Sequence, residues 1–419
     1  MSTAHLPLAG LRVADFCWIG AGSYTTKILG DMGADVIKIE SSTRLDSLRL
    51  AGPYKDGVPG LNRSGYFADR NTSKRGITID MKHPRAQALI KKLIAQCDIV
   101  ANNFAPGVMA KFGLGPDEVL QSKPDIIYLA MSMQGSQGPE RDFRGTGSSI
   151  AALTGIQYLS GMAGRVPAGT GTNYPDHLPN PCHAAFALLA ALRHRRRTGK
   201  GQFIDFAQTE PMISLLGPTF LDLTVNGRLQ QRRGNEHPWA APHGVYPCQG
   251  SDRWIAITVM NDQQWSALAE VIQEEPGLAS ADAKNLTWPQ EEKFKTMPQR
   301  YTNRDQLNGL IADWTSKQEA QGLMQKLQAK GVPAGAVQDA RDVTHVDPQL
   351  AHRDHWVRLP HAEMGESINN ALPFRFSQTP VRPTRPAPLL GEHTREILRD
   401  MLGLSEQEID ELQAQEVLK

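Results

Sequence analysis

The stretch Leu11–Glu40, LRVADFCWIGAGSYTTKILGDMGADVIKIE, decides the fold. LRVADF reads as a short, mostly buried strand. GAGSYTTKILGDMGA opens on small residues and passes into helical spacing, and DVIKIE is a second strand closed by the charge of Glu40. A strand, helix and strand of this length require a right-handed crossover, and so a parallel pair. The turn WIGAG (Trp18–Gly22) stands between strand and helix, where backbone N–H groups can face an anion. It is not GxGxxG. Glu40 sits roughly where a ribose-binding acid would stand, yet a tight, closely packed βα turn explains the same residues.

The alternation continues outward. KRGITIDMKHPRAQALIKKLIAQCDIVANNF predicts a strand at Gly76–Asp80, a helix with Ala88, Leu89, Leu93 and Ile94 on one face, and a strand in CDIVANNF. PDIIYLAMSM supplies another strand, and the whole predicts an open α/β sheet covered on both faces. Between Thr43 and Thr72 periodicity is lost and Gly and Pro accumulate, which predicts a functional loop. After Gly201 the character changes. GVYPCQG and RWIAITVM read as paired strands, Asn261 to Lys330 as largely polar helix, and PAPLLGEHTREIL as an excursion that ends in a helix.

The bulk numbers exclude several classes. A chain of 419 residues exceeds the roughly 250–300 residues at which single cores stop growing, so two domains are expected. A net charge of +1 argues against a general nucleic-acid binder. The 4 cysteines are scattered, without CxxC or nearby histidine spacing, which suits reduced thiols better than a disulfide frame or a metal site. No signal peptide is legible, and the longest apolar run, Ala184–Leu192, falls far short of the ~20 residues that span a bilayer. The expectation is a cytoplasmic protein with no membrane partner.

Among candidate chemistries, GKGQ is no P-loop, and RHRRRTGKG reads as a basic last helical turn with a glycine stop. HExxH and GxSxG are missing from the sequence. Asn102, Asn103 and Phe104 end a strand, where ligands of open α/β sheets bind. Asp176 stands alone in GTNYPDHLPNP before an apolar helix. Taken locally, it suits an N-cap as well as a carboxylate nucleophile.

PLAGLRVADF, GAGSYTTKILGDMGADVIKIE, NTSKRGITIDMK, NNFAPG, HRRRTGKGQFIDFAQTE and PLLGEHTREIL, in this order, resemble the family III coenzyme A transferases, the group of the formyl-CoA, carnitine and benzylsuccinate CoA transferases. The resemblance runs from about residue 6 to the C-terminal helix. It implies a Rossmann-like large domain from 1–220 and 337–419, a smaller α+β domain from 225–332, and interlocking of two such chains into a dimer, identical or with a related subunit. It implies that Asp176 attacks an acyl-CoA thioester, succinyl-CoA among the candidates, and that CoA then passes through an aspartyl-CoA thioester to an acceptor acid. No tightly bound cofactor is implied; CoA is substrate. The motifs place the nucleotide on Ile19, Gly20, Ala21, Lys74, Arg75, Asn103, Phe104 and Lys111, with the three cations at the phosphates. The related α-methylacyl-CoA racemases carry a histidine where this chain has Thr146, which disfavours a two-base reaction. The tetraglycine loop of the formyl-CoA type is missing from RRGNEHPWAAPHGVYPCQG, which speaks against oxalate or formate. A non-catalytic subunit of a heteromeric transferase would not need Asp176. From residue chemistry alone, Trp239, His237, His243 and Tyr246 are candidates for an acyl pocket, and Arg141 or Arg144 for the acceptor carboxylate.

Overall fold

The computed structural model describes residues 6–274 and 287–419. Its principal sheet has six strands, β1 (Arg12–Phe16), β2 (Asp35–Glu40), β3 (Lys74–Thr78), β4 (Ile99–Asn102), β5 (Ile127–Ala130) and β6 (Gln202–Asp205). They lie in the order β3-β2-β1-β4-β5-β6, and every pairing is parallel. That is the order of a doubly wound dinucleotide-binding sheet, whose direction of winding reverses between β1 and β4.

The side-chain period of a strand explains why both faces are covered. Ala14 and Phe16 of β1, Ile37 and Ile39 of β2, Val100 of β4 and Tyr128 of β5 enter one core. Val13, Val36, Ile99, Ala101, Ile127 and Leu129 enter the other. On the first face lies α3 (Ala86–Ala95), joined by the C-terminal helices Thr394–Leu402 and Glu406–Ala414 through Ile397, Leu398, Ile409 and Leu412. The second face carries α1 (Ala21–Asp31) and α8 (Pro179–Thr198). Between these run α2 (Gly65–Arg70), α4 (Pro116–Ser122), α5 (Gly147–Leu153), the single turn α6 (Ile156–Leu159) and the short α7 (Tyr174–His177). A two-stranded ribbon, β10 (Trp356–His361) and β11 (Gly365–Asn370), pairs antiparallel later in the chain.

The chain divides into two compact units. One holds the residues up to Tyr158, then Gly169–Gln230 and Pro348–Lys419. The other holds Leu159–Ala168 and Gln231–Asp347. In the second unit β7 (His243–Pro247), β8 (Trp254–Thr258) and β9 (Ala334–Ala336) form an antiparallel sheet. Its core is built on Trp265, Trp288, Phe294 and Trp314. The guanidinium of Arg300, fully buried, donates to the carbonyls of Ala241, Phe294 and Lys295 and to Asp262.

Candidate active site

The site begins where α8 cannot begin earlier. Pro179 and Pro181 follow Leu178, and a residue before proline is pushed out of the helical region. Leu178 accordingly breaks the chain at φ −134 and ψ −69, leaving Tyr174–His177 as a separate turn. The break carries Asp176 out of the line of α8. Its carboxylate therefore does not cap α8, whose N-cap is Leu178. It points instead to the start of α5, where Oδ2 accepts the backbone N–H of Gly147 at 3.2 Å.

Two glycines make room for it. A Cβ on Gly20, the N-cap of α1, would lie 2.7 Å from the Asp176 Cβ. One on Gly147 would lie 2.8 Å from Oδ2. Both separations are closer than real side chains tolerate, so only glycine admits the carboxylate between the N-terminal ends of α1 and α5. Asp176 is buried. Burial pushes its carboxyl up to about 6, against the opposing pull of the Gly147 N–H and the charge of Arg70. A carboxylate that is ionised at pH 7, yet short of solvent and held by a single backbone donor, is poised to attack a carbonyl carbon.

His177 extends the site. Tyr66 Oη lies 2.7 Å from its Nε2, and Thr172 Oγ1 lies 3.1 Å from its Nδ1. Burial, aided by Arg70, lowers the imidazole to about 4, so it is neutral at pH 7. These residues line a cleft of about 460 Å³, together with Ser148, Thr170 and Asn173.

The switch point of the sheet holds the second cluster. Asn103, just beyond β4, takes the Trp18 N–H on its Oδ1 at 2.8 Å and donates Nδ2 to the Trp18 carbonyl at 2.6 Å. Phe104 meets the Trp18 ring edge-on at 5.1 Å. The buried Trp18 Nε1–H has no partner among the described residues. Ile19 holds φ +58, a conformation costly for a β-branched residue. Its N–H is pinned by Asp46 at 3.0 Å, and Asp46 is itself ion-paired with the buried Lys38. Thus Ile19, Gly20, Ala21, Asn103 and Phe104 gather at one mouth of the sheet, where the doubly wound folds hold their ligands. Lys111 is exposed in the short turn Ala110–Phe112.

The expected phosphate cations Lys74 and Arg75 are otherwise engaged. Lys74 is fully buried, and its ammonium contacts Asp15 Oδ2, the Ser23 carbonyl, Thr26 Oγ1 and Asn71 Oδ1 at 2.7–2.9 Å. An ammonium has three protons, all consumed here. Arg75 bridges Asp35 and Glu396. Glu40 is no ribose ligand either, because Arg49 holds it through both Nε and an Nη, deep in the core. Tyr246 belongs to the core of the second unit, its hydroxyl bonded to Asn308. His237 does cluster with Trp239 and His243, and Trp239 is exposed. Arg141 pairs loosely with Asp142 at 3.6 Å, and Arg144 is exposed. The glycine stop of α8 is as expected. Gly199 adopts φ +71, and the preceding Arg195 pairs with Asp98.

Sequence reasoning missed Gly147, Tyr66, His177 and Arg70. Only the adjacency of His177 to Asp176 offered a signal. The other three arrive from distant elements, Gly147 standing 29 positions from Asp176 and Tyr66 111 positions from His177. Among the described residues no group of histidine, cysteine and acidic side chains forms a metal cluster, and no helix is long and apolar enough to cross a membrane.

A doubly wound sheet with a buried carboxylate beside its switch point defines a class, and comparison with known proteins gives the family. Residues 8–394 match CoA-transferase family III. The chain belongs to that family and is a CoA-transferase. It is 32% identical over 413 residues to the succinyl-CoA–D-citramalate CoA-transferase of Chloroflexus aurantiacus, covering 98% of each chain. It is 30% identical to the succinyl-CoA–L-malate CoA-transferase beta subunit of the same organism, covering 100% of this chain and 99% of the other. A crystal structure of a CAIB/BAIF family protein from Brucella suis superposes with a TM-score of 0.84 at 30% identity, over 95% of this chain and 100% of the other.

Proposed function

We propose that the enzyme moves CoA from succinyl-CoA, or a similarly short dicarboxylic acyl-CoA, to a free carboxylic acid, with Asp176 as the nucleophile. The observation that carries this reading is the Asp176 carboxylate, buried between Gly20 and Gly147 with a backbone N–H on Oδ2. Its ionised oxygen attacks the thioester carbonyl, the C–S bond breaks, and CoA leaves as thiolate from an aspartyl–acyl anhydride. The thiolate then attacks Cγ of Asp176 and expels the donor acid, leaving a β-aspartyl-CoA thioester. The acceptor carboxylate attacks that thioester, and the steps run in reverse. No general base is needed, because the attacking groups are anions throughout. At the tetrahedral stage on Cγ, the Gly147 N–H faces the oxygen that becomes an oxyanion.

The cradle for CoA in this proposal is the switch-point mouth, with Ile19, Gly20, Ala21, Asn103 and Phe104 around it and Lys111 nearby in sequence. The unpartnered Trp18 Nε1–H supports a ligand there, since a buried donor left unpaired is costly. Lys74 and Arg75 shape the sheet that presents the mouth. The relatives named for succinyl-CoA, citramalate and malate support a diacid substrate. Assembly as an interlocked dimer, of this chain alone or with a related subunit, and residence in the cytoplasm complete the reading. Thr146 precedes Gly147 in place of a second acid–base group, which keeps the racemase reading behind the transferase.

Intact mass after incubation with succinyl-CoA tests the chemistry. A CoA adduct that hydroxylamine discharges, absent from Asp176→Ala, is the expected result; no adduct from any acyl-CoA would sink the proposal.

A further inference from the structure

The wall of the cleft beside Asp176 carries a hydrogen-bond chain that the transfer steps do not use: Tyr66 Oη, His177 and Thr172 Oγ1. All three residues line the cleft. A neutral imidazole has one N–H and one lone pair. With the proton on Nδ1, His177 donates to Thr172 and accepts from Tyr66, and the Thr172 hydroxyl proton is left over. With the proton on Nε2, it donates to Tyr66 and accepts from Thr172, and the Tyr66 proton is left over. In either tautomer one hydroxyl proton remains for a ligand. The tautomer can also change to suit which hydroxyl the ligand meets.

We infer that the Tyr66–His177–Thr172 chain is the recognition site for the far carboxylate of a dicarboxylic acyl group and of the acceptor acid. The inference deepens the proposed function and rests on it. Two observations favour a carboxylate over an apolar acyl tail. Apart from Ala151 and two glycines the cleft is lined by polar side chains, and an alkyl chain would leave the spare hydroxyl proton of the Tyr66–His177–Thr172 chain without an acceptor. The volume of about 460 Å³ has room for a small acid. Behind Tyr66 stands Arg70, with its guanidinium carbon 5.9 Å from the ring centroid and its buried Nε without a hydrogen-bond partner among the described residues. That cation, ion-paired with Asp69 at 3.1 Å, offsets the negative charge of Asp176 and Asp69 at the Tyr66 hydroxyl without lining the cleft. Because donor acid and acceptor acid exchange at the same Asp176, one site reads both.

The test compares succinyl-CoA with butyryl-CoA, which has the same chain length and no far carboxylate. The expected result is a wild-type preference for succinyl-CoA in kcat/KM. That preference should shrink about tenfold to a hundredfold in Tyr66→Phe, as when one hydrogen bond to a charged group is removed. Thr172 is exposed, so Thr172→Val provides a variant whose folding is not at issue, and it should shrink the same ratio. The hydroxylamine-sensitive adduct is measured alongside. If the adduct forms but the wild-type enzyme shows no preference, or both variants keep it, the recognition site is overturned while the transfer chemistry stands. If no acyl-CoA gives an adduct with the wild-type enzyme, the proposed function falls and this inference falls with it.

Discussion

Asp15 and Asp176 are both buried carboxylates of the same unit, and the fold treats them in opposite ways. Asp15 lies in β1 with Lys74 at 2.9 Å, Thr26 Oγ1 at 2.8 Å and the Cys17 N–H at 3.0 Å. Burial pushes its carboxyl up, but the charges of Lys74 and Lys38 and the hydrogen bonds outweigh this and hold it below the usual range. Asp176 has one backbone donor and no ion-pair partner at hydrogen-bond distance among the described residues, and burial wins. A raised carboxyl is not in itself the mark of a site. Asp31 is raised too, yet its two oxygens are fully engaged by Lys27, Ser73 and Thr72. What sets Asp176 apart is burial together with unused bonding capacity, between glycines that keep side chains away.

The largest test of this contrast is Asp176→Ala, for which turnover should fall by about 10⁴-fold or more while the unfolding transition stays cooperative. The converse experiment breaks the other carboxylate's surroundings. Lys74→Ala leaves Asp15 without its contacting ammonium, with only Lys38 nearby as counter-charge, and should cost about 3–5 kcal/mol in denaturant unfolding. A partial rescue by the double change Asp15→Asn with Lys74→Ala would show that the stranded charge is the cause.

Stability should respond with opposite sign at Asp176. Its folded-state value, about 6, lies above the ordinary 3.8, so the fold favours the protonated form. The penalty is absent below pH 3.8, grows through the interval and is complete above pH 6. Asp176→Asn should therefore be more stable than the wild type by on the order of 3 kcal/mol at neutral pH, with the gain vanishing toward pH 4. Equal stability of the two at pH 7.5 would contradict the burial argument.

Smaller effects sharpen the geometry. Gly20→Ala places a methyl 2.7 Å from the Asp176 Cβ and should lower kcat about 100-fold through displacement of the carboxylate, with about 1–3 kcal/mol of stability lost to the overpacking. The gentlest probe is pH. As Asp176 protonates, kcat/KM should fall about tenfold per unit below pH 6, with one ionisation on the acid limb.

Much of the sheet was legible because its signal is local. Leu11–Glu40 alternates strand, small residues, helix and strand, and β3, β4 and β5 follow in the same rhythm. The expected strand at Gly76–Asp80 starts two residues earlier, at Lys74, because the buried lysine looks like a surface residue in sequence. β6 was not expected as a strand. Its four residues QFID are mostly exposed and show no apolar run. The ribbon β10–β11 alternates only weakly, with exposed residues at many positions. The expected loop at Thr43–Thr72 holds helical turns at Ser47–Leu50 and Gly65–Arg70.

The site was legible where one residue type serves one chemistry and illegible where partners decide. Asp176 stood out because Pro and Gly isolate it, although the sequence alone suited a cap equally well. Lys74 and Arg75 announced charge, and the sequence could not say that Asp15, Asp35 and Glu396 already consume it. Gly147, Tyr66 and His177 acquire meaning only when α2, α5 and α7 meet around one carboxylate.

The most direct measurement follows oxygen. The enzyme is incubated with succinyl-CoA and succinate labelled with oxygen-18 in both carboxylates, and the peptide carrying Asp176 is weighed. Anhydride exchange through Asp176 predicts that oxygen-18 appears in this peptide as labelled succinyl-CoA forms. Labelled succinyl-CoA with an unlabelled Asp176 peptide would contradict the account.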